Sequence, residues 1–200
     1  MSKKRRSAAE TALLKARRLG EALARSPHRM FAPGDLVSRQ LTVSDLAAAL
    51  APIAPDVAGT VQRIRHWTRE GALQPIAFEH GGPGKHRRYN PVAVYKAAVL
   101  HVLTTAGLPV SHSQFLADIM RRAEEKAIAW ITTPDRGEIS KRGPTIVGVT
   151  ATGAFEVTDM KLDDASRFVL TISIDLVKLF AQVDHGHLSA QVGGRGAPQS

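Results

Sequence analysis

The stretch DVAGTVQRIRHWTREGALQPIAFEHGGPGKHRRY, residues 56–89, decides the fold. Its first half has apolar residues at helical spacing, which predicts a helix with one buried face. These residues are Val57, Val61, Ile64 and Trp67. The opposite side of the predicted helix carries Gly59, Gln62, Arg63, His66 and Arg69. Gly71 stands where the helix should end, because glycine readily takes the left-handed conformation of a helix C-terminus.

The second half of the stretch predicts a two-stranded ribbon. Ile76 and Phe78 alternate as in a strand, and the glycine-rich turn 81–84 reverses the chain. The return arm is basic and consists of Lys85, His86, Arg87 and Arg88. A helix with one apolar and one basic, amide-bearing face, followed by a basic ribbon, fits a DNA duplex. The helix would enter the major groove while the ribbon contacts the phosphates.

The composition of the 200-residue chain limits the classes of protein to consider. An apolar content of 44% is ordinary for a globular protein. The sequence shows neither an apolar run of membrane-spanning length nor a signal-peptide core, so we expect a cytoplasmic, nucleoid-associated protein. The absence of cysteine excludes disulfides, thiolate metal sites and cysteine nucleophiles.

The net charge of +9 is unevenly distributed. Residues 1–30 carry nine Lys and Arg against two acids, residues 31–131 carry eleven against eight, and the remainder carries seven against eight. Basic charge concentrated toward one end favours a polyanionic partner, nucleic acid before membrane. General solubility would account for the same charge without a specific partner.

Local signals place further helices on both sides of this stretch. Thr42–Asp45 has capping-box spacing and should start a helix through Leu50. Asn90-Pro91 predicts a helix start, and Gly107 predicts its end. A second capping-box pattern at Ser111 predicts a helix that continues to Ile131.

Beyond residue 131 the apolar period changes from that of a helix to that of a strand. Residues 135–144 contain two glycines and a proline, which indicates a domain boundary. The segments Thr145–Ala151 and Ala154–Met160 predict a hairpin, and Arg167–Ile174 predicts a further strand. A short helix should follow Asp175, and residues 185–200 have the composition of a disordered tail.

The segment from Ile64 to Leu73 resembles the recognition-helix signature of the MerR-type winged helix-turn-helix family of bacterial transcription regulators. The matching positions are Ile64, Arg65, His66, Trp67, Arg69, Gly71 and Leu73. Arg87 and Tyr89 fit the family's wing signature, and the resemblance covers roughly residues 41–120. The family's long C-terminal dimerisation helix has no counterpart here, because strand-like sequence follows Pro134.

We therefore predict a mainly α-helical protein with a MerR-like winged helix-turn-helix domain and a small α+β C-terminal domain. A basic N-terminal arm and linker occupies residues 1–40, the DNA-binding domain residues 41–131, and the α+β domain residues 144–184. Residues 145–183 would hold a homodimer together, because a small sheet leaves strand edges unpaired and Phe168–Ile174 is rich in apolar residues.

The resemblance implies a sequence-specific regulator that binds double-stranded DNA, with RNA polymerase as a further candidate partner. We expect no cofactor and no metal. The predicted DNA-contacting residues are Thr60, Gln62, Arg63, Arg65, His66, Arg69, Lys85, His86, Arg87, Arg88 and Tyr89. Arg65 and Arg87 are suited to phosphates, since a guanidinium pairs with phosphate oxygens through two hydrogen bonds. Gln62 and Arg63 are suited to base edges. A merely solvated helix face is the alternative interpretation of these residues.

Two other functions fit the same pattern. An excisionase-type or architectural protein would bend DNA with a similar winged helix, and an antitoxin-like module would bind a protein through its C-terminal strands. We predict that the protein is not an enzyme, because the sequence shows no nucleophile–base arrangement. Sites selected from a random duplex pool would separate these functions.

Overall fold

The computed structural model describes residues 30–79, 86–108, 110, 114–133, 139, 145–150, 155–159 and 168–193. In this part of the chain the protein is mainly helical. The helices are α1 Asp35–Ser38, α2 Val43–Leu50, α3 Val57–Arg69, α4 Val92–Thr105, α5 Gln114–Thr132 and α6 Leu176–Gly193. The strands are β1 Ala77–Glu79, β2 His86–Arg88, β3 Thr145–Thr150, β4 Phe155–Asp159 and β5 Phe168–Ile174.

The predicted helix ends are confirmed where the structure describes them. At the start of α2, Thr42 Oγ1 accepts from the Asp45 backbone N–H at 3.2 Å, and the Thr42 N–H donates to the Asp45 carboxylate at 2.8 Å. Asn90 Oδ1 accepts from the Ala93 N–H at 3.2 Å and caps α4. Gly71 and Gly107 have φ angles of 76° and 77°, the left-handed conformation that ends α3 and α4. The predicted cap at Ser111 lies outside the described residues.

The predicted ribbon is confirmed as an antiparallel pair of β1 and β2, in which Phe78 lies opposite Arg87. The connecting residues 80–85 lie outside the described part of the chain. An isolated bridge between Leu41 and Tyr89 extends the pairing, with N–H to O distances of 2.8 and 2.9 Å. Because Leu41 directly precedes the capping residue of α2, this bridge ties the base of the ribbon to the first turn of that helix.

One hydrophobic core joins the helices, and it begins earlier in the sequence than predicted. Met30 and Phe31 are buried in this core, and Asp35–Ser38 is helical, so residues 30–40 are not simply a linker. The Phe31 ring packs edge-on against Tyr95 of α4, with 6.2 Å between ring centroids. Burial of two adjacent large apolar side chains explains why this segment folds against the helices.

Helix α6 packs against α2, α4 and α5 and completes the core. Its buried Asp184 accepts a hydrogen bond from the Tyr95 hydroxyl at 2.7 Å and another from Trp130 Nε1 at 3.1 Å. Phe180 lies one turn earlier and contacts both aromatic rings. A carboxylate, two polar aromatics and a phenyl ring thus hold three helices together.

The prediction of a disordered tail from residue 185 is wrong for residues 185–193, which continue α6 to Gly193. The physical reason is that adding residues to a helix already anchored by packing is far easier than starting one. Leu188 and Ala190 are adequate helix formers, so this segment can extend the helix. Residues 194–200 lie outside the described part of the chain.

The C-terminal strands form the predicted antiparallel sheet, in the order β4-β3-β5. Lys126 of α5 donates to Thr145 Oγ1 at 3.1 Å, and Arg122 donates to the Val157 carbonyl at 3.0 Å. These bonds attach the sheet to α5.

The surface expected to hold a dimer is partly used within the chain. Ile174 is buried, and Ile172 packs against the same core. The apolar residues at the start of α6 are buried there as well, namely Leu176, Val177, Leu179, Phe180, Ala181 and Val183. The core is therefore continuous across the predicted boundary at 135–144, of which only Ile139 is described, and that side chain is buried.

Candidate nucleic-acid interface

Helix α3 is held by its N-terminal cap and by one apolar face. Asp56 Oδ1 accepts from the Gly59 N–H at 2.9 Å and caps the helix. Ile64 and Trp67 are buried as predicted, but Val57 is 40% exposed, because its position lies at the edge of the buried face. The third buried residue is Thr60.

The solvent-exposed face of α3 is a row of side chains at helical spacing, which we call the α3 stripe: Ala58, Gln62, Arg65 and Arg69. His66 lies beside this row and is also exposed. Successive members are separated by three or four residues, so they lie one above another along the helix. Ala58 was not among the residues that the sequence analysis placed on this face. Counting from Ile64 and Trp67 around the helix would have placed it there.

Arg63 and Thr60 are turned away from the α3 stripe, contrary to their predicted roles in DNA contact. The Thr60 side chain is buried, and its hydroxyl donates to the Asp56 carbonyl at 2.7 Å. The half-buried Arg63 donates from Nη2 to Thr60 Oγ1 at 2.8 Å. The Thr60 hydroxyl is thus satisfied inside the protein, and the half-buried Arg63 guanidinium is bonded to it and lies off the α3 stripe.

The C-terminal end of the α3 stripe is cationic but partly neutralised. Arg69 Nη2 lies 3.2 Å from His66 Nδ1, and Arg69 Nε lies 3.8 Å from the Glu70 carboxylate. The side chains of Arg69 and Glu70 are 72% and 41% exposed, so solvent screens this pair strongly. Arg69 can exchange the carboxylate for a phosphate oxygen at little cost.

The ribbon meets α3 at one described contact. Arg87 Nη1 donates to the Arg65 backbone carbonyl, at a long distance of 3.4 Å. The Arg65 side chain is exposed, and among the described residues it has no hydrogen-bond or ion-pair partner. The Arg87 side chain therefore reaches the backbone of α3 at Arg65. The predicted contacts Lys85 and the His86 side chain lie outside the described part, and Arg88 is half-buried.

Tyr89 is a core residue and not a surface contact, contrary to its predicted role. Its side chain is buried, and its hydroxyl lies 2.8 Å from Thr68 Oγ1 on α3. Its backbone pairs with Leu41 on the other side. Because burial and hydrogen bonding occupy the whole residue, Tyr89 positions the ribbon relative to α3.

The segment between α2 and α3 contacts a titratable group of α4. His101 Nε2 lies 3.1 Å from the Ile53 carbonyl. Burial, and the nearby positive charge of Arg63, lower the pKa of His101 below its ordinary value of 6.5, while the bond to Ile53 opposes that shift. The neutral imidazole is therefore the form that suits the folded protein.

We expect folding stability to fall with acidification through this histidine. Because its pKa is lower in the folded than in the unfolded protein, its contribution is complete above about pH 6.5 and is lost as pH falls toward the folded pKa. The free energy of unfolding, measured by urea titration from pH 7.5 to pH 5, should depend less on pH in His101→Gln than in the natural chain. Unchanged pH dependence in that variant would contradict the assignment.

Comparisons with protein-family models and with curated protein sequences give no match. Among the described residues, no helix combines the length and apolar character needed to cross a membrane. The same part of the chain contains no group of three His, Cys, Asp or Glu side chains placed to hold a metal ion.

Proposed function

We propose that this protein is a transcription regulator that binds double-stranded DNA with a winged helix-turn-helix. In this proposal α2 and α3 form the helix-turn-helix, α3 enters the major groove, and the β1–β2 ribbon is the wing that lies along the phosphates. The observation that supports it best is the continuity of the α3 stripe with the ribbon through the contact of Arg87 with the Arg65 carbonyl.

The chemistry of this surface supports the proposal. Arg65 and Arg69 are exposed on one face of α3, and Arg87 lies beside them on the ribbon. Guanidinium groups are suited to phosphate because they donate two parallel hydrogen bonds and keep their charge at any physiological pH. The surface carrying these groups is anchored by the buried Ile64, Trp67 and Tyr89, so it is held in place before a ligand arrives.

A homodimer is part of this proposal on general grounds. One recognition helix reads only a few base pairs, which is too few to single out a site in a genome. Removing residues 145–183 would be the direct test of their predicted role in the dimer. However, α6 is part of the core, so a truncation at residue 140 would expose the faces of α4 and α5 that α6 covers. The oligomeric state should therefore be measured on the whole chain, by sedimentation with and without a duplex.

The salt dependence of duplex binding tests the proposed function. If about five phosphates are neutralised, log affinity should fall against log salt concentration with a slope on the order of −4 to −5. Fluorescence anisotropy of a labelled duplex, titrated at several KCl concentrations, gives this slope. Arg65→Ala should make it shallower by about one, because one counterion fewer is released.

Lys178→Ala is the matched control, because Lys178 lies on α6 and pairs with Asp175 at 3.2 Å. The slope should be the same for this variant as for the natural chain. A flat salt response of the natural chain would contradict the proposed function.

A further inference from the structure

We infer that α3 selects A·T base pairs in the major groove, with Gln62 reading an adenine and the Ala58 methyl contacting a thymine methyl. This inference rests on the proposed function and goes beyond it by naming the base pairs and the two reading groups. The inference is based on two observations about the first half of α3. Ala58 and Gln62 are exposed to solvent, whereas the Arg63 guanidinium is bonded to the buried Thr60.

The withdrawn side chain is the only cation in the first half of the helix. Within Val57–Arg63, Arg63 is the one basic residue, and its guanidinium donates to the buried Thr60 hydroxyl. An arginine or lysine on the O6 and N7 of guanine is the commonest specific contact in the major groove. This half of α3 therefore lacks the group that most often selects G·C.

The two residues that remain exposed on the α3 stripe are a methyl and an amide. A glutamine amide can donate to adenine N7 and accept from adenine N6, whereas the alanine methyl can pack on the C5 methyl of thymine. Both Ala58 and Gln62 are exposed, and among the described residues the Gln62 amide makes no hydrogen bond that would compete with a base. Both reading groups therefore favour A·T over G·C, each at its own position in the site.

Charge and spacing place the two groups over neighbouring base pairs. Ala58 and Gln62 are four residues apart, which is about 6 Å along the helix axis and less than two base-pair steps of about 3.4 Å each. The cations Arg65 and Arg69 follow in the second half of α3, and Arg87 lies on the ribbon beside them. The neutral half of the stripe thus meets bases, and the cationic half meets phosphates.

The test uses the whole chain and base analogues that change single atoms in the major groove. A preferred site is first selected from a random duplex pool. Each A·T pair in it is then changed either to 7-deazaadenine, which lacks N7, or to uracil, which lacks the methyl group. At one position we expect 7-deazaadenine to weaken binding about five- to tenfold. At an adjacent or next-adjacent position we expect uracil to weaken it about three- to fivefold.

Three variants connect these effects to the residues. Gln62→Ala should bind the natural site and its 7-deazaadenine form equally, and Ala58→Gly should lose the response to uracil. Gln62→Glu should move the preference at that position from adenine to cytosine, because a carboxylate accepts from cytosine N4. Circular dichroism and urea unfolding of each variant would establish that α3 still folds.

The possible outcomes separate the inference from the proposed function. Failure to bind any duplex, or binding without salt dependence, would overturn the proposed function and this inference with it. Salt-sensitive binding with a selected G·C consensus would overturn the inference alone. An A·T consensus indifferent to both analogues would also overturn it, since DNA shape would then carry the preference. Analogue effects that vanish in the matching variants would support the inference.

Discussion

Asp184→Ala should lower the free energy of unfolding by about 3–5 kcal/mol, the largest effect on stability that we expect from any single acid in the described part. The carboxylate accepts from the Tyr95 hydroxyl at 2.7 Å and from Trp130 Nε1 at 3.1 Å, and all three side chains are buried. Its removal leaves two buried donors without this acceptor, at about 1–3 kcal/mol each, and opens a small cavity. Urea unfolding followed by tryptophan fluorescence measures the loss.

Two variants identify the cause of that loss. Asp184→Asn keeps the shape and one acceptor oxygen, so it should cost less than Asp184→Ala. Glu125→Ala removes a carboxylate that is 61% exposed and pairs with Arg121, and it should change stability by no more than about 0.5 kcal/mol. Equal effects of Asp184→Ala and Glu125→Ala would show that the buried carboxylate does not hold the three helices together.

Reversing the charge of Arg65 and Arg87 together should weaken duplex binding by at least about 100-fold at low salt. Arg65→Glu with Arg87→Glu removes two phosphate contacts and places two negative charges against the DNA backbone. Since phosphates carry no sequence information, the loss should be about equal on the selected site and on a scrambled duplex. Anisotropy titrations of the two duplexes with one protein preparation give both affinities.

The control for this experiment carries the same change in net charge elsewhere. Arg121→Glu with Lys178→Glu alters exposed residues of α5 and α6, which belong to neither α3 nor the ribbon. This variant should keep most of its affinity, apart from the long-range part of the electrostatic attraction that salt screens. Equal losses in the two double variants would mean that total charge and not the surface of α3 and the ribbon determines binding.

The elements that could be predicted from the sequence are those with local signals. The period of Ile64 and Trp67 and the caps at Thr42 and Asn90 depend on residues within a few positions of one another. Alternation within each strand likewise indicated the C-terminal sheet. These elements could be predicted because neighbouring residues alone determine them, and the structure confirms them.

What the sequence could not predict depends on partners distant along the chain. Asp184 meets its partners at sequence separations of 89 and 54 residues, and no local pattern indicates such a meeting. Tyr89 matched a wing signature, but the Thr68 hydroxyl 21 positions away holds it inside. Arg63 is a different case, because its partner Thr60 is only three positions away but residue type does not show the rotamer that joins them. Residue type alone was enough to propose a candidate interface, whereas side-chain direction depends on contacts that residue type does not show.

The position of Tyr89 has a consequence for how fast and how tightly a ligand can be bound. Its backbone pairs with Leu41 next to α2, its hydroxyl contacts Thr68 of α3, and it directly follows β2. The base of the ribbon is therefore preorganised relative to both helices. The conformational entropy of ordering this part of the ribbon is lost during folding, so it does not reduce affinity at the moment of association. Tyr89→Phe lacks the hydroxyl that contacts Thr68 but keeps the exposed residues of α3 and the ribbon. This variant should dissociate from a DNA duplex faster than the natural chain does.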